Sequence, residues 1–484
     1  MKITSQDDYL MPKFSDFFNL ALSQHQLDFV DVSNECDTPV YVDPYAIEIR
    51  DDIWAEKASE SIRSFFLEVL DALRNGDKMR AQGLMSHLHE PSETFLGVSK
   101  GKPSGRGVGF GQTGQLIRAM EQSKAFQTGM LQDLSEMALY VEGIDRDKIS
   151  DLTTNIIRKH LVEYTEQQCA VFDIQTKPYI GPPYWCQNRA NWVSAPVHLP
   201  YIEDDAVILV PKYIVRRKLS LDSQEFYNKQ ITDFLVAENL KANSSLVQVV
   251  KGRRKITKGA VRKQHPKSKP MIADMVSQHP ELLEMYKDIA KRHGAMVVFN
   301  DDEPSIHAIC QQLSEMFDRI PSGRADADAY HQLVLGSLTA LFYPSLINPH
   351  KEWEINDGRK RVDIVYTNAA DTGFFAQRRN DQQINANTVI VECKNYKDDL
   401  ANEEIDQLLG RFDNNRGKFG IMACRSIDDK ERLLKRCRDA AVRSTGYIIV
   451  LTDEDVVAML QAKATLNDRR IEEILHQKFR DLIA

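Results

Sequence analysis

The last third of the chain alternates between strand-like and helix-like patterns, and this alternation restricts the possible folds more than any other feature. Apolar residues recur at helical spacing over 330–342, and two alternating segments then flank the turn sequence Asn-Asp-Gly at 356–358. Apolar runs at 389–394, 419–423 and 447–451 are each followed by a helical pattern. This order predicts an α/β domain in which helices flank a mixed sheet.

Two carboxylates interrupt the apolar strands of this predicted domain. Asp363 lies between Val362 and Ile364, where a charged side chain disfavours both strand formation and burial. Glu392 and Lys394 are two residues apart at the end of an apolar strand, so they project from the same face. We interpret the three charged side chains as converging at an open edge of the sheet. The alternative interpretation is a structural salt-bridge cluster.

Two carboxylates on adjacent strands and one lysine suit metal-dependent hydrolysis of phosphodiester bonds. Asp363 and Glu392 are predicted to bind Mg²⁺ (or Mn²⁺), with the backbone carbonyl of Cys393 as a further oxygen ligand. Such a cation neutralises phosphate charge and lowers the pKa of an attacking water. Lys394 is predicted to orient or deprotonate that water and to stabilise the negative charge that develops.

The helix predicted after this strand carries two more candidates. Gln407 and Arg411 are four residues apart, which places them on one helical face that is not the apolar one. Gln407 is predicted to act in catalysis. Arg411 is predicted to contact the phosphates of a nucleic acid.

Residues 325–460 resemble the PD-(D/E)xK superfamily of nucleases. The sequence VDIV around Asp363, the sequence VIVECK around Glu392, and Gln407 downstream are similar to its Mrr-type branch. The resemblance implies a restriction-endonuclease-like fold and a Mg²⁺-dependent nuclease in which Asp363 and Glu392 bind the metal and Lys394 assists the water. His331 stands roughly where many members place an acidic residue, so we expect one metal ion rather than two.

The remaining two-thirds of the chain carry weaker signals. A chain of 484 residues is too long for one ordinary domain. We predict a mostly helical recognition or regulatory region at 1–250, which two subdomains could form. A basic linker and helical connector is predicted at 251–322, and the nuclease domain at 323–484.

A basic run marks the start of the predicted connector. Between residues 251 and 269 there are nine lysines and arginines and no aspartate or glutamate. Such a run is typical either of a segment that contacts phosphates or of a solvated linker. In the first interpretation the nucleic-acid-binding residues are Arg253, Arg254, Lys255, Arg262 and Lys263.

A glycine-rich segment lies at 97–114. Gly109, Gly111 and Gly114 satisfy the pattern GxGxxG, but a polar stretch precedes them where a dinucleotide-binding site needs an apolar strand. A flexible surface loop is one interpretation. The other is a phosphate-binding loop formed with three nearby cations, Lys100, Lys102 and Arg106.

Composition restricts the setting of the protein. Seven scattered cysteines and no apolar segment of membrane length favour a cytoplasmic protein that does not engage a membrane. The predicted function is a DNA endonuclease that serves prokaryotic, antiviral defence against foreign DNA. A homodimer would suit cleavage of both strands, and a protein or nucleotide could regulate the enzyme through the N-terminal region. The alternative is a nucleic-acid-binding or scaffolding protein with an inactive nuclease-like domain.

Overall fold

The structure, a computed structural model, describes residues 12–98, 110–250, 253–293, 305–355, 360–396, 400 and 402–484. Its contacts divide the chain into two compact units. The first unit comprises Met1–Asp31, Tyr164–Thr176 and Val298–Ala484, and the second comprises Val32–Glu163 and Lys177–Val297. Both units are therefore assembled from separate segments of the chain.

The first unit contains most of its helices and strands in its C-terminal segment. In chain order these are α1 Ile306–Arg319, α2 Ala327–Phe342, β1 Leu346–Ile355, β2 Lys360–Asn368, α3 Gly373–Asn380, β3 Thr388–Lys394, α4 Asn402–Leu409, β4 Phe419–Cys424, α5 Lys430–Val442, β5 Tyr447–Thr452, α6 Asp453–Ala464 and α7 Asp468–Ile483. The unit also contains the short helix Phe14–Phe17, and the helix Arg158–Val171 ends within it.

Five of these strands form one mixed sheet in the order β1-β2-β3-β4-β5. Strands β1, β2 and β3 are antiparallel neighbours, whereas β3, β4 and β5 run parallel. The predicted mixed sheet flanked by helices is confirmed. The central strand β3 is buried from Val389 to Lys394, as expected for a strand that helices cover on both faces.

Helix α2 packs against the sheet through a buried tyrosine. The hydroxyl of Tyr366 on β2 donates to the backbone carbonyl of Leu335 at 3.1 Å and lies 2.9 Å from the Thr339 hydroxyl. Tyr366 lies on the same strand face as Ile364, and Ile364 pairs with Val391 of β3. This contact holds α2 on one face of the strands that carry the predicted site.

The N-terminal segment completes the first unit. One carboxylate oxygen of Asp28 accepts hydrogen bonds from the Tyr164 hydroxyl at 2.8 Å and from the backbone N–H of Asn348 at 3.2 Å. Phe29 packs edge-on against Phe172, with ring centroids 6.1 Å apart. These contacts join all three segments of the unit, so this division of the chain differs from the predicted boundaries at 250 and 322.

The second unit is rich in helices, as expected for the N-terminal region. Its α-helices are Pro44–Glu48, Ile53–Arg74, Lys78–Met85, Phe110–Gln122, Lys124–Gln127, Met137–Tyr140, Arg146–Ile156, Ser223–Phe226, Thr232–Lys241, Lys258–Gln264, Lys269–Gln278 and Glu281–His293, with a π-helical Tyr227–Ile231. Its strands form antiparallel pairs, which are Tyr41–Val42 with Val215–Arg216, Lys177–Tyr179 with Val197–Leu199, Tyr184–Cys186 with Asn191–Val193, Tyr201–Ile202 with Asp205–Ala206, and Gln248–Val250 with Arg253–Lys255.

The basic run forms regular secondary structure over the part that the structure describes. Arg253–Lys255 form one strand of an antiparallel pair, and the hydroxyl of Thr257 caps the helix that follows by accepting from Ala260 N–H. Lys269 is buried and donates to the carbonyls of Val141 and Ile144. Local hydrogen bonds and one buried lysine therefore order a segment whose basic composition is also typical of an unstructured linker.

Two further predictions concern segments at the limits of the description. Lys100, Lys102 and Arg106, the proposed phosphate-binding loop, lie outside the described residues. Across the described ranges, no helix combines the length and the apolar character needed to cross a bilayer.

Candidate active site

Strand pairing places the two predicted carboxylates on one face of the sheet. Ile364 lies opposite Val391 in the antiparallel pair of β2 and β3. Continuing this register by one residue places Asp363 opposite Glu392, and directly opposed residues share a face. The register thus puts the two acids side by side on adjacent strands, as their expected convergence requires.

Asp363 lies just beyond the last paired residues of β2 and β3. Its Oδ2 accepts a hydrogen bond from the backbone N–H of Cys393 at 2.9 Å and lies 4.0 Å from Nε2 of His331 on α2. About a quarter of the side chain, 24%, is exposed. An acid in this strand therefore has a backbone donor that offsets part of the cost of burial, and it keeps access to solvent.

Glu392 is fully buried, with 0% of its surface exposed. Its ionic partners are Lys394, whose Nζ lies 3.6 Å from Oε2, and Arg411. Both carboxylate oxygens are buried, and these two cations lie against them. The expectation that this acid opens to solvent at the sheet edge is wrong, because two cations and the surrounding core cover it.

Lys394 links the strand to helix α4. Its Nζ donates to Oε1 of Gln407 at 3.2 Å while it remains close to Glu392. Gln407 is exposed. The predicted group of Glu392, Lys394 and Gln407 is therefore brought together, and only the glutamine is open to solvent.

Arg411 does not lie on the helical face predicted for it. Helix α4 ends at Leu409, and Arg411 N–H bonds the carbonyl of Leu408 at 3.0 Å in a tightened turn after Gly410, a residue that disfavours helix. The side chain is 4% exposed and pairs with Glu392, so it faces a carboxylate instead of the phosphate predicted for it. Burial lowers the pKa of Arg411, and the nearby Asp363 opposes that shift.

The donor atoms at this site suit a hard cation better than a soft one. Donor atoms of His331, Asp363 and Cys393 lie within 4.8 Å of one another, but burial raises the pKa of the Cys393 thiol well above its ordinary value. A thiol that stays protonated is a poor metal ligand. Carboxylate oxygens remain, those of Asp363 partly exposed and those of Glu392 buried next to Lys394 and Arg411.

The backbone of Cys393 provides one more oxygen on the same side of the strand. Its N–H points towards Asp363, and the N–H and C=O of one strand residue point in the same direction. We therefore expect the Cys393 carbonyl to face Asp363. The prediction that this carbonyl is a metal ligand stays a prediction.

The residue after the lysine belongs to a network that the sequence did not reveal. Asn395 Nδ2 donates to the carbonyls of Pro321 at 3.0 Å and Gly323 at 2.9 Å, and its Oδ1 accepts from Nε of Arg425 at 2.7 Å. Arg425 also donates to Asp453 at 2.9 Å. These contacts fix the strand end beside the candidate site. In the sequence, only the position of Asn395 directly after the ExK motif could have indicated that this residue contributes to the site.

The other predicted nucleic-acid-binding residues belong to the second unit. Arg253, Arg254 and Lys255 are exposed along one short strand, and Arg262 and Lys263 are exposed in the last turn of the following helix. Nη2 of Arg254 donates to Leu240 and Asn243, so part of its bonding capacity is already used. The assignment of these five residues to nucleic-acid binding stays a prediction.

Comparison with known proteins finds similarity in the other part of the chain. Residues 19–222 match the model of a domain of unknown function, DUF8370. This segment ends well before the sheet that carries Asp363 and Glu392. No curated protein and no solved structure matches the chain.

Proposed function

We propose that the first unit hydrolyses phosphodiester bonds in nucleic acid, with DNA as the substrate and Mg²⁺ (or Mn²⁺) as the cofactor. The observation that carries the proposal is Glu392, a fully buried carboxylate at the end of β3 that lies next to Lys394. It lies on the same strand face as the partly exposed Asp363. A buried carboxylate is costly unless a cation compensates it; Lys394 and Arg411 do so in the described arrangement, and a metal ion would do so in the proposed one.

The order of the elements supports the same proposal. Helix α2, the antiparallel strands β1, β2 and β3, helix α4 and the parallel strand β4 follow one another as expected for a restriction-endonuclease-like domain. The two acids lie on the second and third of these strands. Glu392 and Lys394 occupy the end of β3, next to the strand β4 that enters the sheet in parallel.

The chain's own groups have separate roles in the proposed reaction. Asp363 and Glu392 would hold the cation, with the Cys393 carbonyl as a third oxygen ligand. The bound cation would neutralise phosphate charge and acidify the attacking water. Lys394 holds its ammonium within the site through Gln407, where it can orient the water and stabilise negative charge on the phosphate.

Arg411 must leave Glu392 before that carboxylate can bind a cation. Asp363 and Glu392 carry two negative charges, and Lys394 and Arg411 carry two positive charges, so the four groups are already balanced. Adding a divalent cation next to an unmoved Arg411 would place three cations around one buried carboxylate. The described arrangement is therefore a closed state, in which Arg411 takes the place of the metal.

Cleavage assays test the proposal directly. Wild-type protein with Mg²⁺ or Mn²⁺ should nick plasmid DNA, and Glu392→Gln and Lys394→Met should each lower the rate by at least about 100-fold. Glu403→Gln on helix α4 is a matched control that should cleave normally. Absence of cleavage by the wild type across single- and double-stranded DNA and RNA would contradict the proposal.

The burial of Glu392 favours one alternative, a nucleic-acid-binding or scaffolding protein with an inactive nuclease-like domain. In that case the acid and its two cations form a structural cluster. A thermal-shift titration separates the two functions, because only a protein that binds the cation is stabilised by Mn²⁺. Roles in defence against foreign DNA, a cytoplasmic location, a homodimer and a protein or nucleotide regulator belong to the nuclease proposal.

A further inference from the structure

The second unit contains a cavity of about 200 Å³. It lies beside the helices Lys78–Met85, Phe110–Gln122 and Arg146–Ile156. Part of its lining is apolar, from the side chains of Leu116 and Leu152 among others. A small cavity with an apolar wall and a few polar groups has the general character of a ligand-binding site.

The acidic side chain of Asp151 lines this cavity without a partner. Among the described residues no group donates a hydrogen bond to its carboxyl or forms an ion pair with it. Burial, followed by the nearby charges of Asp147, Glu90, Asp145 and Asp37, raises the pKa of Asp151 to about 8. The protein thus keeps a partly buried acid among several other carboxylates.

Two other residues that line the cavity differ in whether they have a hydrogen-bond partner. Thr113 is 3% exposed, and its hydroxyl has no hydrogen-bond partner within the described structure. Lys148 lines the cavity too, but its Nζ donates to the carbonyl of Gly143 at 2.7 Å. A buried hydroxyl without a partner costs free energy, so both Thr113 and Asp151 would gain from a ligand that supplies hydrogen-bond donors.

We propose that this cavity binds a small organic cation, a primary amine or a guanidine attached to a short apolar chain. The charged nitrogen pairs with Asp151, the apolar chain contacts Leu116 and Leu152, and Thr113 offers a second hydrogen-bonding group. The site is separate from the proposed nuclease centre, since all of its lining residues belong to the second unit. They also fall within the segment 19–222 that matches the domain family.

The lining chemistry selects this ligand class over two others. An anion is disfavoured because Asp151 and Glu142 both line the cavity and four more acids lie close to Asp151. A metal ion is disfavoured because, in the described part of the chain, the one group of His, Cys, Asp or Glu donors with metal-binding spacing is in the other unit. An organic cation needs a single carboxylate and gains from the apolar wall.

Titration of the full-length protein with n-butylamine tests the proposal, and n-butanol is the neutral control of the same shape. We expect the amine to raise the melting temperature with increasing concentration and the alcohol to have no comparable effect. Asp151→Asn keeps the shape of the side chain and should weaken amine binding by at least tenfold. Asp147→Asn removes a nearby acid that does not line the cavity, and it should change binding by less than threefold.

Thr113→Val provides a second, nearly isosteric variant, which should bind the amine several-fold more weakly. It keeps the proposal open to refutation if Asp151→Asn does not fold. Equal effects of amine and alcohol, or unchanged amine affinity in both variants, would overturn the proposal. Neither result would bear on cleavage of DNA by the first unit.

The pH dependence of binding gives an independent readout. Asp151 is largely protonated at pH 7, so an ammonium ligand must displace its proton, and affinity for butylamine should rise by about fivefold from pH 7 to 8. The pH at which this rise occurs depends on the charged groups that surround Asp151. These are the acids Glu90, Asp147, Asp145, Asp37 and Glu142, together with Lys148. A flat profile from pH 6.5 to 8.5 would contradict a role for Asp151.

Discussion

The pairing of Arg411 with Glu392 leads to a prediction about metal affinity. Arg411→Met keeps most of the length of the side chain and removes its charge, so a divalent cation no longer has to displace a guanidinium from Glu392. Close buried charge pairs have coupling energies of about 1.5 kcal/mol or more, which corresponds to at least about tenfold in a binding constant. We therefore expect the variant to bind Mn²⁺ at least about tenfold more tightly than the wild type.

The same substitution should destabilise the protein when no metal is present. Removing one partner of a buried ion pair costs about 3–5 kcal/mol, and we expect the lower value because Lys394 Nζ stays 3.6 Å from the carboxylate. The variant should thus unfold at lower urea concentration and recover more stability than the wild type when Mn²⁺ is added. A residue with only a structural role would show the first effect without the second.

Calorimetric titration with Mn²⁺ and urea unfolding with and without Mn²⁺ measure both effects. Arg416→Met is the matched control, since Arg416 pairs with Asp413 a few residues further on and lies outside the candidate site. Wild-type binding of Mn²⁺ with unchanged affinity in Arg411→Met would refute the idea that the arginine competes with the metal. If neither protein binds Mn²⁺, the metal site itself is refuted.

Three other perturbations test separate parts of the structure. Burial lowers the pKa of His350 to about 4, so the unfolded chain binds a proton first as pH falls below 6.5 and stability is lost between pH 6.5 and 4. His350→Gln should remove a loss of up to about 2 kcal/mol between pH 7 and 5 in urea unfolding. Tyr330→Phe removes the hydrogen bond to Asp453 at 2.9 Å and should cost about 1.5 kcal/mol in calorimetric unfolding, whereas an unchanged stability would show that the bond contributes nothing net. If the basic strand and helix contact phosphates, the plot of log K for DNA binding against log salt should flatten by about 3–4 when four cations are replaced by glutamine, namely Arg253, Lys255, Arg262 and Lys263.

Local sequence patterns were sufficient to predict the sheet and the common face of the two acids. Strand β3 is a short apolar run whose alternation fixes where Glu392 and Lys394 point, and both features depend on neighbours along the chain. The acid at 363 was a candidate because the strand around it is apolar. Its hydrogen bond to the N–H of Cys393 shows how the structure compensates a charge at that place.

The pairing of Arg411 with Glu392 could not be predicted, because it depends on how the chain turns after α4. Helical spacing placed Arg411 one turn beyond Gln407 on the same face, but the helix ends at Leu409 and the turn directs the arginine to Glu392. The hydrogen bonds of Asn395 with Gly323 and Arg425 were not predicted, for a related reason. They join groups that are 72 and 30 residues apart in sequence, and no local pattern encodes such contacts.

The hydrogen bond between Asn348 and Asp28 spans 320 residues and has a consequence for synthesis of the protein. At about 5–20 residues per second, a ribosome needs roughly 15–65 s to make the chain between these two partners. During that time the N-terminal segment, whose Phe14 and Phe29 are buried in the folded protein, is without the strand that carries Asn348. A nascent chain of this kind is a natural client for a chaperone. For the same reason, a fragment that begins at residue 298 would lack the two earlier segments that belong to the same compact unit.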